Sequence, residues 1–380
     1  MSLVNYFTQR SFRETVKKLL ARISHWFCTP LDREATRKIK QLECLDRQNG
    51  FVLRSLKING VEGELKIKVV YPSSNLFRLS VSEQQKVCVL SSGGISQGQQ
   101  ILSTGFDGQQ AYNILGFLTS KLKKPLSLQG TIICNWSQQF LTYGDFVLQL
   151  LPELCLIKSH LPEHEWQSAY FLFRRPPQYL ISYLKLLGCS ENQIIDVKGK
   201  CVRIKPTSQL YFREKDPMWF LCAPPKLLDR TRAYLLEKLP VKIRYEKIIF
   251  VERLNGYRQA LGLNPQTRAR LMKLGVSFFD PCQFTIAEQI DVFRNASIVI
   301  GVHGAGLANI MWCREGTKII EIFHPKFAAW CYAILANQLN LEYYCLGRAP
   351  GSMNVNYREA DVDINWQHLI ELIKHLLDSQ

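Results

Sequence analysis

Beyond Pro225 the chain alternates between blocks whose apolar residues recur every three or four positions and short β-branched runs. That pattern predicts helix 226–239, strand Lys247–Val251, helix 265–274, strand Val276–Phe279, helix 285–295, strand Ser297–Val302, helix 306–313, strand Thr317–Phe323, helix 327–339 and strand Glu342–Leu346. Repeated βα units at this spacing imply a parallel, doubly wound sheet with right-handed crossovers. A last apolar stripe, Trp366, Leu369, Ile370, Ile373 and Leu377, predicts a terminal helix capped by Asp363 or Asn365. Thr285 and Glu288 are spaced as a capping box, which assigns Glu288 to helix initiation and leaves Gln289 as a minor candidate for a cleft.

The first half is less regular. Strands are predicted at Leu65–Tyr71, Lys86–Leu90 and Thr131–Cys134, with Ser91-Ser92-Gly93-Gly94 as either a plain turn or one facing a cleft. Between Ser168 and Arg203 the pattern reads as a helix stopped at Gly188 and a short strand near Gln193–Val197. Tyr211, Phe212, Trp219 and Phe220 sit between prolines in Lys205–Pro225 and are the expected interdomain connection and cleft wall. At the start, Phe12, Val16, Leu19, Leu20, Ile23 and Phe27 form one helical stripe, with Arg10, Arg13, Lys17, Lys18 and Arg22 largely off it. Such a segment lies on an anionic membrane face, with Trp26 at the interface, or packs on protein.

A length of 380 residues suits two domains, and 47% hydrophobic with 21% charged residues is the balance of a globular chain. The twelve cysteines are scattered without a C-x-x-C, which reads as free thiols in a reducing cytosol. No run is long and apolar enough to predict a membrane span, and the seven histidines form no zinc pattern. The net charge of +16 needs an anionic partner. With no nucleic-acid-binding motif and no Lys/Arg tract, nucleic acid is not the expected one; anionic lipid, nucleotide diphosphates and acidic glycans account for the charge equally well.

The stretch richest in chemistry is Ser297-Ile298-Val299-Ile300-Gly301-Val302-His303-Gly304-Ala305-Gly306-Leu307-Ala308-Asn309. A buried strand that ends in glycines and opens a helix is an anion site, because unpaired N–H groups and the positive end of the helix dipole point into the turn. His303 falls at the carboxyl edge of the sheet, where open α/β folds bind ligands. The G-x-x-G-x-G spacing is neither the Rossmann fingerprint nor a P-loop.

The wording His-Gly-Ala-Gly-Leu-Ala-Asn, followed by Gly316-Thr317-Lys318-Ile319-Ile320-Glu321-Ile322, closely resembles the signature of glycosyltransferase family 61, most of all over about residues 247–325. That family includes bacterial capsular polysaccharide biosynthesis proteins. The resemblance implies an α/β chain of two Rossmann-like domains in the GT-B arrangement that transfers a sugar from a nucleotide-sugar donor with inversion. After the basic segment read over 1–30, it implies an acceptor-side domain over 31–224, a donor-binding domain over 225–360 and a terminal helix, 361–380, that crosses back to the first domain.

Gly304, Ala305, Gly306, Leu307 and Asn309 are then expected at the donor diphosphate, with His303, Arg253 and Arg258 supplying hydrogen bonds or positive charge. Val251-Glu252-Arg253 resembles the family's Ile-Ser-Arg, with Glu252 in place of Ser. Glu321, on the following strand, is expected to accept the ribose hydroxyls, since burying it without a ligand is costly. Leu141-Thr142-Tyr143-Gly144-Asp145-Phe146 and Leu151-Pro152-Glu153-Leu154 resemble the family's N-terminal Asn-Tyr-x-His-Trp-Leu-Leu-Asp and Leu-Pro-Arg-Leu. Here Asp145 replaces the His, Phe146 the Trp, Gln149 the Asp and Glu153 the Arg. Asp145 is therefore either the catalytic base in place of that His or simply a helix cap.

No Asp-x-Asp pair ends a strand, since Asp361-Val362-Asp363 falls in a late linker, so no metal and no cofactor beyond the donor substrate is expected. The expected partners are a nucleotide-sugar and a glycan or lipid-linked glycan acceptor, in the cytoplasm, with the basic segment as the candidate for contact with the inner membrane face. The rival expectation is a catalytically silent nucleotide-sugar or glycan-binding protein on the same fold.

Overall fold

The computed structural model describes residues 28–30, 33–39, 41–48, 51–59, 64–71, 74–102, 107–120, 122, 124–134, 142–214, 223–239, 247–254, 257–347 and 350–378. The basic stripe of the first 27 residues, and with it Trp26, lies outside them, as do Trp219 and Phe220. The chain divides into two compact units, one of residues 1–51, 72–141 and 156–218, the other of 52–71, 142–155 and 219–380. Both are mixed α/β structures, and each is interrupted in sequence by a piece of the other.

In the first unit, strands β1 (Leu42–Gln48), β2 (Ser74–Ser80), β3 (Thr131–Cys134), β4 (Tyr170–Phe173), β5 (Ile194–Asp196) and β6 (Gln209–Glu214) form a sheet in the order β5-β4-β3-β6-β2-β1. The four strands β3 to β6 run parallel, while β2 is antiparallel to β6 and β1 to β2. Tyr211 and Phe212 are buried inside β6, so they are core residues rather than the interdomain connection expected of them. A second six-stranded sheet contains Val87–Val89 and Val202–Ile204. The Ser91–Gly94 turn after Val89 is structural: Ser92 hydrogen-bonds Asn113 at 2.8 Å, and a Cβ on Gly94 would meet the Asn113 side chain at 2.3 Å.

The second unit carries the regular pattern. Strands β7 (Ile248–Val251), β8 (Val276–Phe279), β9 (Ile298–Val302), β10 (Lys318–Ile322) and β11 (Glu342–Leu346) pair in parallel in the order β8-β7-β9-β10-β11. The chain steps one way from β7 to β8 and the other way to β9, so the topological switch point lies between β7 and β9. Ligands of such sheets bind outside the carboxyl ends of the strands at that point. Alternate residues of the strands are buried on both faces, Ile249, Val299 and Ile319 on one and Phe250, Ile300 and Ile320 on the other, as a sheet with both sides covered requires.

Three expectations are corrected here. The terminal helix, Trp366–Asp378 with Asn365 accepting from the His368 N–H, lays Leu369, Ile370, Ile373 and Leu376 against Ile248, Phe250, Ile298 and Ile320. Its stripe is spent on the sheet of its own unit, where the resemblance implied packing on the first domain. The segment after β9 is a 3₁₀ helix, Ala305–Trp312, not an α-helix; every residue from Leu307 to Trp312 is buried, so no amphipathic face selects the wider turn. The helix expected over 327–339 begins at Cys331, because Phe327–Ala328 pairs antiparallel with Ser352–Met353.

Candidate active site

At the switch point β9 runs into Gly304 and the 3₁₀ helix, and three glycines mark three close approaches. A Cβ on Gly301 would lie 3.1 Å from Leu307 Cδ2 and 3.3 Å from Val251 Cβ. One on Gly306 would lie 3.2 Å from Val251 Cγ1, and one on Gly304 only 2.4 Å from Arg253 Nη2. The first two let the helix fold down onto β7. The third lets a guanidinium lie on the backbone at the mouth of the turn. Within the turn the Leu307 N–H returns to the Gly304 carbonyl at 2.9 Å, which leaves the Ala305 and Gly306 N–H groups without an intrahelical acceptor. Leu307 itself is in the core, so its side chain does not serve the donor contact expected of it.

Arg253, two residues beyond β7, donates from Nη1 to the Tyr257 carbonyl at 2.9 Å. Glu252 beside it is spent on Arg268 in a two-pronged pair at 2.7 and 3.1 Å. Arg258 donates to the His303 carbonyl at 3.1 Å and to the Arg358 carbonyl. Its φ of 63° puts a non-glycine residue in the left-handed region, a local strain that other contacts must hold. Burial lowers its pKa, and the neighbouring Arg253 and Arg358 charges lower it further. Among the described residues neither Arg253 nor Arg258 forms an ion pair with a carboxylate. A half-buried cationic cluster of this kind lacks only an anion.

His303 is buried beneath this pair. Its N–H donates to Ile322, and its ring is enclosed by Phe323, Phe327 and Tyr332 at centroid distances of 5.4, 5.7 and 5.4 Å. Its Nδ1 meets Glu321 Oε1 at 2.5 Å, and Tyr343 donates to Glu321 Oε2 at 2.5 Å. Glu321 has no exposed surface, and protein groups occupy both of its oxygens. The expected ribose contact is corrected accordingly: the compensation for burying this carboxylate is His303 and Tyr343. Burial, then the charge of Glu321, raises the Tyr343 hydroxyl well above its ordinary pKa, so it stays a donor. Tyr332 is likewise raised, first by burial and then by Cys331, Glu321 and Asp145.

The helix that opens at Tyr143 belongs to the same site. Thr142 is its N-cap and Asp145 the third residue in; Thr142 Oγ1 accepts from the Asp145 N–H at 3.2 Å and donates to Asp145 Oδ2 at 2.6 Å. Asp145 is thus part of a cap without being the cap residue, and its charge reaches the Tyr332 hydroxyl beside His303. A π-helical turn, Phe146–Leu150, follows at once, a feature that often accompanies functional sites. Tyr143 donates to Asn309 Oδ1 at 2.6 Å, and Asn309 Nδ2 donates to Gln289 Oε1 at 3.1 Å. Gln289 Nε2 in turn donates to the Pro281 and Phe284 carbonyls. Asn309 is fully buried and used up by this network, so its expected contact with the donor is corrected to a structural tie. Tyr143, Tyr332 and Tyr343 were not picked out from sequence; a buried tyrosine hydroxyl always needs a partner, but sequence does not say which.

Residues 143–320 match the model of the family described as glycosyltransferase 61. The beta-1,2-xylosyltransferase RCN11 of Oryza sativa subsp. japonica is 35% identical over 65 residues, 17% of this chain and 12% of that protein. A beta-1,2-xylosyltransferase of Arabidopsis thaliana is 30% identical over 78 residues, 20% of this chain and 15% of that protein. The matches therefore span far less than two thirds of these relatives. Among solved structures, a dodecameric iron-containing heptosyltransferase, TibC, in complex with ADP-D-beta-D-heptose, aligns over 81% of this chain and 79% of its own at 12% identity and a TM-score of 0.29. No helix among the described residues is long and apolar enough to cross a membrane. The stretch that matches the glycosyltransferase 61 model takes in the residues that hold the glycine turn, Arg253, His303 and the Tyr143–Asn309 tie.

Proposed function

We propose that this chain is an inverting, metal-independent glycosyltransferase of GT-B type that moves a sugar from a nucleotide-sugar to a glycan or lipid-linked glycan acceptor at a cytoplasmic site. Residues 225–360 take the donor. One observation carries the reading: Arg253 and Arg258 lie together on the His303–Gly304 backbone at the switch point of a parallel sheet, with no carboxylate partner among the described residues. Two guanidinium groups and the N–H groups that open the turn suit the two charges of a donor diphosphate and the further charge that develops as it leaves. The names of the plant relatives put xylose first among candidate sugars.

The test is calorimetry of the purified protein against UDP-, GDP-, CMP- and dTDP-sugars, UDP-xylose included, with and without EDTA, repeated on Arg253→Ala. Saturable binding of one nucleotide class that persists in EDTA and weakens in the variant is the expected outcome. Failure of every nucleotide-sugar to bind refutes the proposal. A second reading, binding without transfer, draws on Asp145, whose Oδ2 is engaged by its own helix cap. It predicts donor binding with neither transfer nor slow donor hydrolysis.

A further inference from the structure

We infer that His303, oriented by Glu321 and Tyr343, is the proton acceptor of the transfer, and that Asp145 is not. This rests on the transferase reading above. The argument begins at Glu321, whose two oxygens meet His303 Nδ1 and the Tyr343 hydroxyl. Tyr343, on β11, is kept neutral by its burial and donates to Oε2. An ionised carboxylate only accepts, so the other contact requires the proton on Nδ1. That assignment leaves the lone pair on Nε2. A neutral imidazole with a bare Nε2 accepts a proton; it does not hydrogen-bond a phosphate oxygen, the donor role that sequence suggested for it.

The register of the sheet makes the arrangement rigid. Gly301 on β9 pairs with Glu321 on β10, and Glu321 with Cys345 on β11, so Tyr343, two residues earlier on the same face, reaches the carboxylate. His303 stands just past the end of β9, its N–H bonded to Ile322. Asp145 is placed differently. One of its oxygens is held by Thr142 within its own cap, and its charge acts on the Tyr332 hydroxyl. The titratable and charged groups that face His303 are Glu321 and, through it, Tyr343 from the strands, Tyr332 from the helix beyond Phe327 and Arg258 from the loop after β7, while Cys331 and Asp145 act on Tyr332.

In the step itself the acceptor O–H bond breaks, its proton moves to Nε2, and the oxygen forms a bond to the anomeric carbon. The bond from that carbon to the diphosphate oxygen breaks, and the nucleoside diphosphate leaves with the electron pair. Glu321 stabilises the imidazolium, which later releases its proton to solvent. In sum, donor and acceptor alcohol give glycoside, nucleoside diphosphate and one proton. His303 is the catalytic residue in this scheme; Glu321 and Tyr343 are positioning residues that act through it.

The experiment compares His303→Gln, Glu321→Gln, Tyr343→Phe and Asp145→Asn for donor binding by calorimetry and for transfer as kcat and KM across pH, after thermal melts show each variant folded. His303→Gln should lose transfer yet bind donor within about threefold of the parent, with part of the rate restored by added imidazole. Glu321→Gln should lower kcat by ~10²- to 10⁴-fold, the scale set when a histidine base loses its orienting carboxylate, with the donor KM little moved. Its acid limb should shift to lower pH, because the imidazolium loses its counter-charge; in Tyr343→Phe the limb should shift upward, because the carboxylate loses a donor. Asp145→Asn should keep transfer within about threefold.

Transfer that survives in His303→Gln, or is abolished in Asp145→Asn, overturns the assignment while leaving the transferase reading intact. Glu321→Gln with a pH profile unchanged from the parent also overturns it, as a purely structural carboxylate would leave the limb where it was. Absence of nucleotide-sugar binding by the unaltered protein defeats the transferase reading itself, and the assignment with it.

Discussion

Gly304→Ala separates donor binding from folding at a single atom. Gly304 has φ 168° and ψ 174°, an extended conformation that alanine adopts without strain. The added methyl would meet Arg253 Nη2 at 2.4 Å, Cζ at 3.1 Å and Nη1 at 3.4 Å, and no other group comes as close. The obstacle is the end of a flexible side chain that is only partly buried, so the guanidinium must retreat by roughly 1 Å to restore ordinary contact, and the fold should lose less than about 1 kcal/mol. Donor binding should lose more. A hydrogen bond to a charged group contributes about 1.5–3 kcal/mol, so displacing Arg253 should weaken nucleotide-sugar binding by roughly 10- to 150-fold. The decisive assay is a double-mutant cycle by calorimetry with Arg253→Ala. Once the guanidinium is gone the methyl has nothing to strike, so the double variant should bind like Arg253→Ala alone. Additive losses, or a Gly304→Ala protein that binds donor like the parent, would refute the claim that this glycine exists to seat Arg253.

Further outcomes follow from neighbouring contacts. Gly347→Ala combines a φ of 91° with a Cβ placed 2.4 Å from the Phe323 carbonyl oxygen, a backbone atom that cannot swing away, and should cost about 2–5 kcal/mol in chemical denaturation. Tyr143→Phe leaves the fully buried Asn309 Oδ1 without its 2.6 Å donor and should cost about 1–3 kcal/mol, seen as a lower melting temperature. Gly144→Ala should go the other way: its Cβ finds only ordinary contacts, the nearest Tyr332 Oη at 3.5 Å, so stiffening the unfolded chain should add about 0.4–1 kcal/mol. Burial pushes the Cys345 thiol up from 9.0 to about 11 and the Cys189 thiol to about 12, so both stay neutral in the fold after they ionise in the unfolded chain. Their stabilising effect is complete below pH 9 and is lost as pH rises from there toward the folded values. Alkaline titration of unfolding should flatten over that window in Cys189→Ala.

Much of the second unit was legible because its strands are buried on both faces and its helices on one, so short continuous apolar runs and periods of three to four separate cleanly in Ile248–Leu346. The capping box at Thr285 and Glu288 was legible for the same reason, as both partners are local in sequence. What sequence hid was long-range satisfaction of polar groups. Asn309 sits in a motif that suggests ligand binding, yet its amide is consumed by Tyr143, 166 residues away. Tyr211 and Phe212 lie between prolines like a linker, and only the pairing of β6 with β3 and β2 shows them to be core. The 3₁₀ winding after Gly304 was hidden too, since an apolar run with no polar face carries no period.

Glu321 shows why the distinction between ligand-satisfied and protein-satisfied burial matters. A carboxylate in mid-strand with no exposed surface was expected to wait for a ribose, because an uncompensated buried charge is intolerable. His303 and Tyr343 provide the compensation within the fold, so the desolvation cost is met on folding and owes nothing to substrate. Two consequences separate these cases. If the donor satisfied Glu321, the ligand-free protein would carry an unpaired charge and Glu321→Gln would stabilise it. With His303 and Tyr343 in place the same substitution exchanges one acceptor oxygen for an amide that must donate toward a group that itself donates, and should destabilise the ligand-free protein by about 1–3 kcal/mol. Chemical denaturation of parent and Glu321→Gln without nucleotide gives opposite signs for the two cases. A more stable variant would return Glu321 to the ribose and take from His303 the fixed tautomer on which its role as base depends.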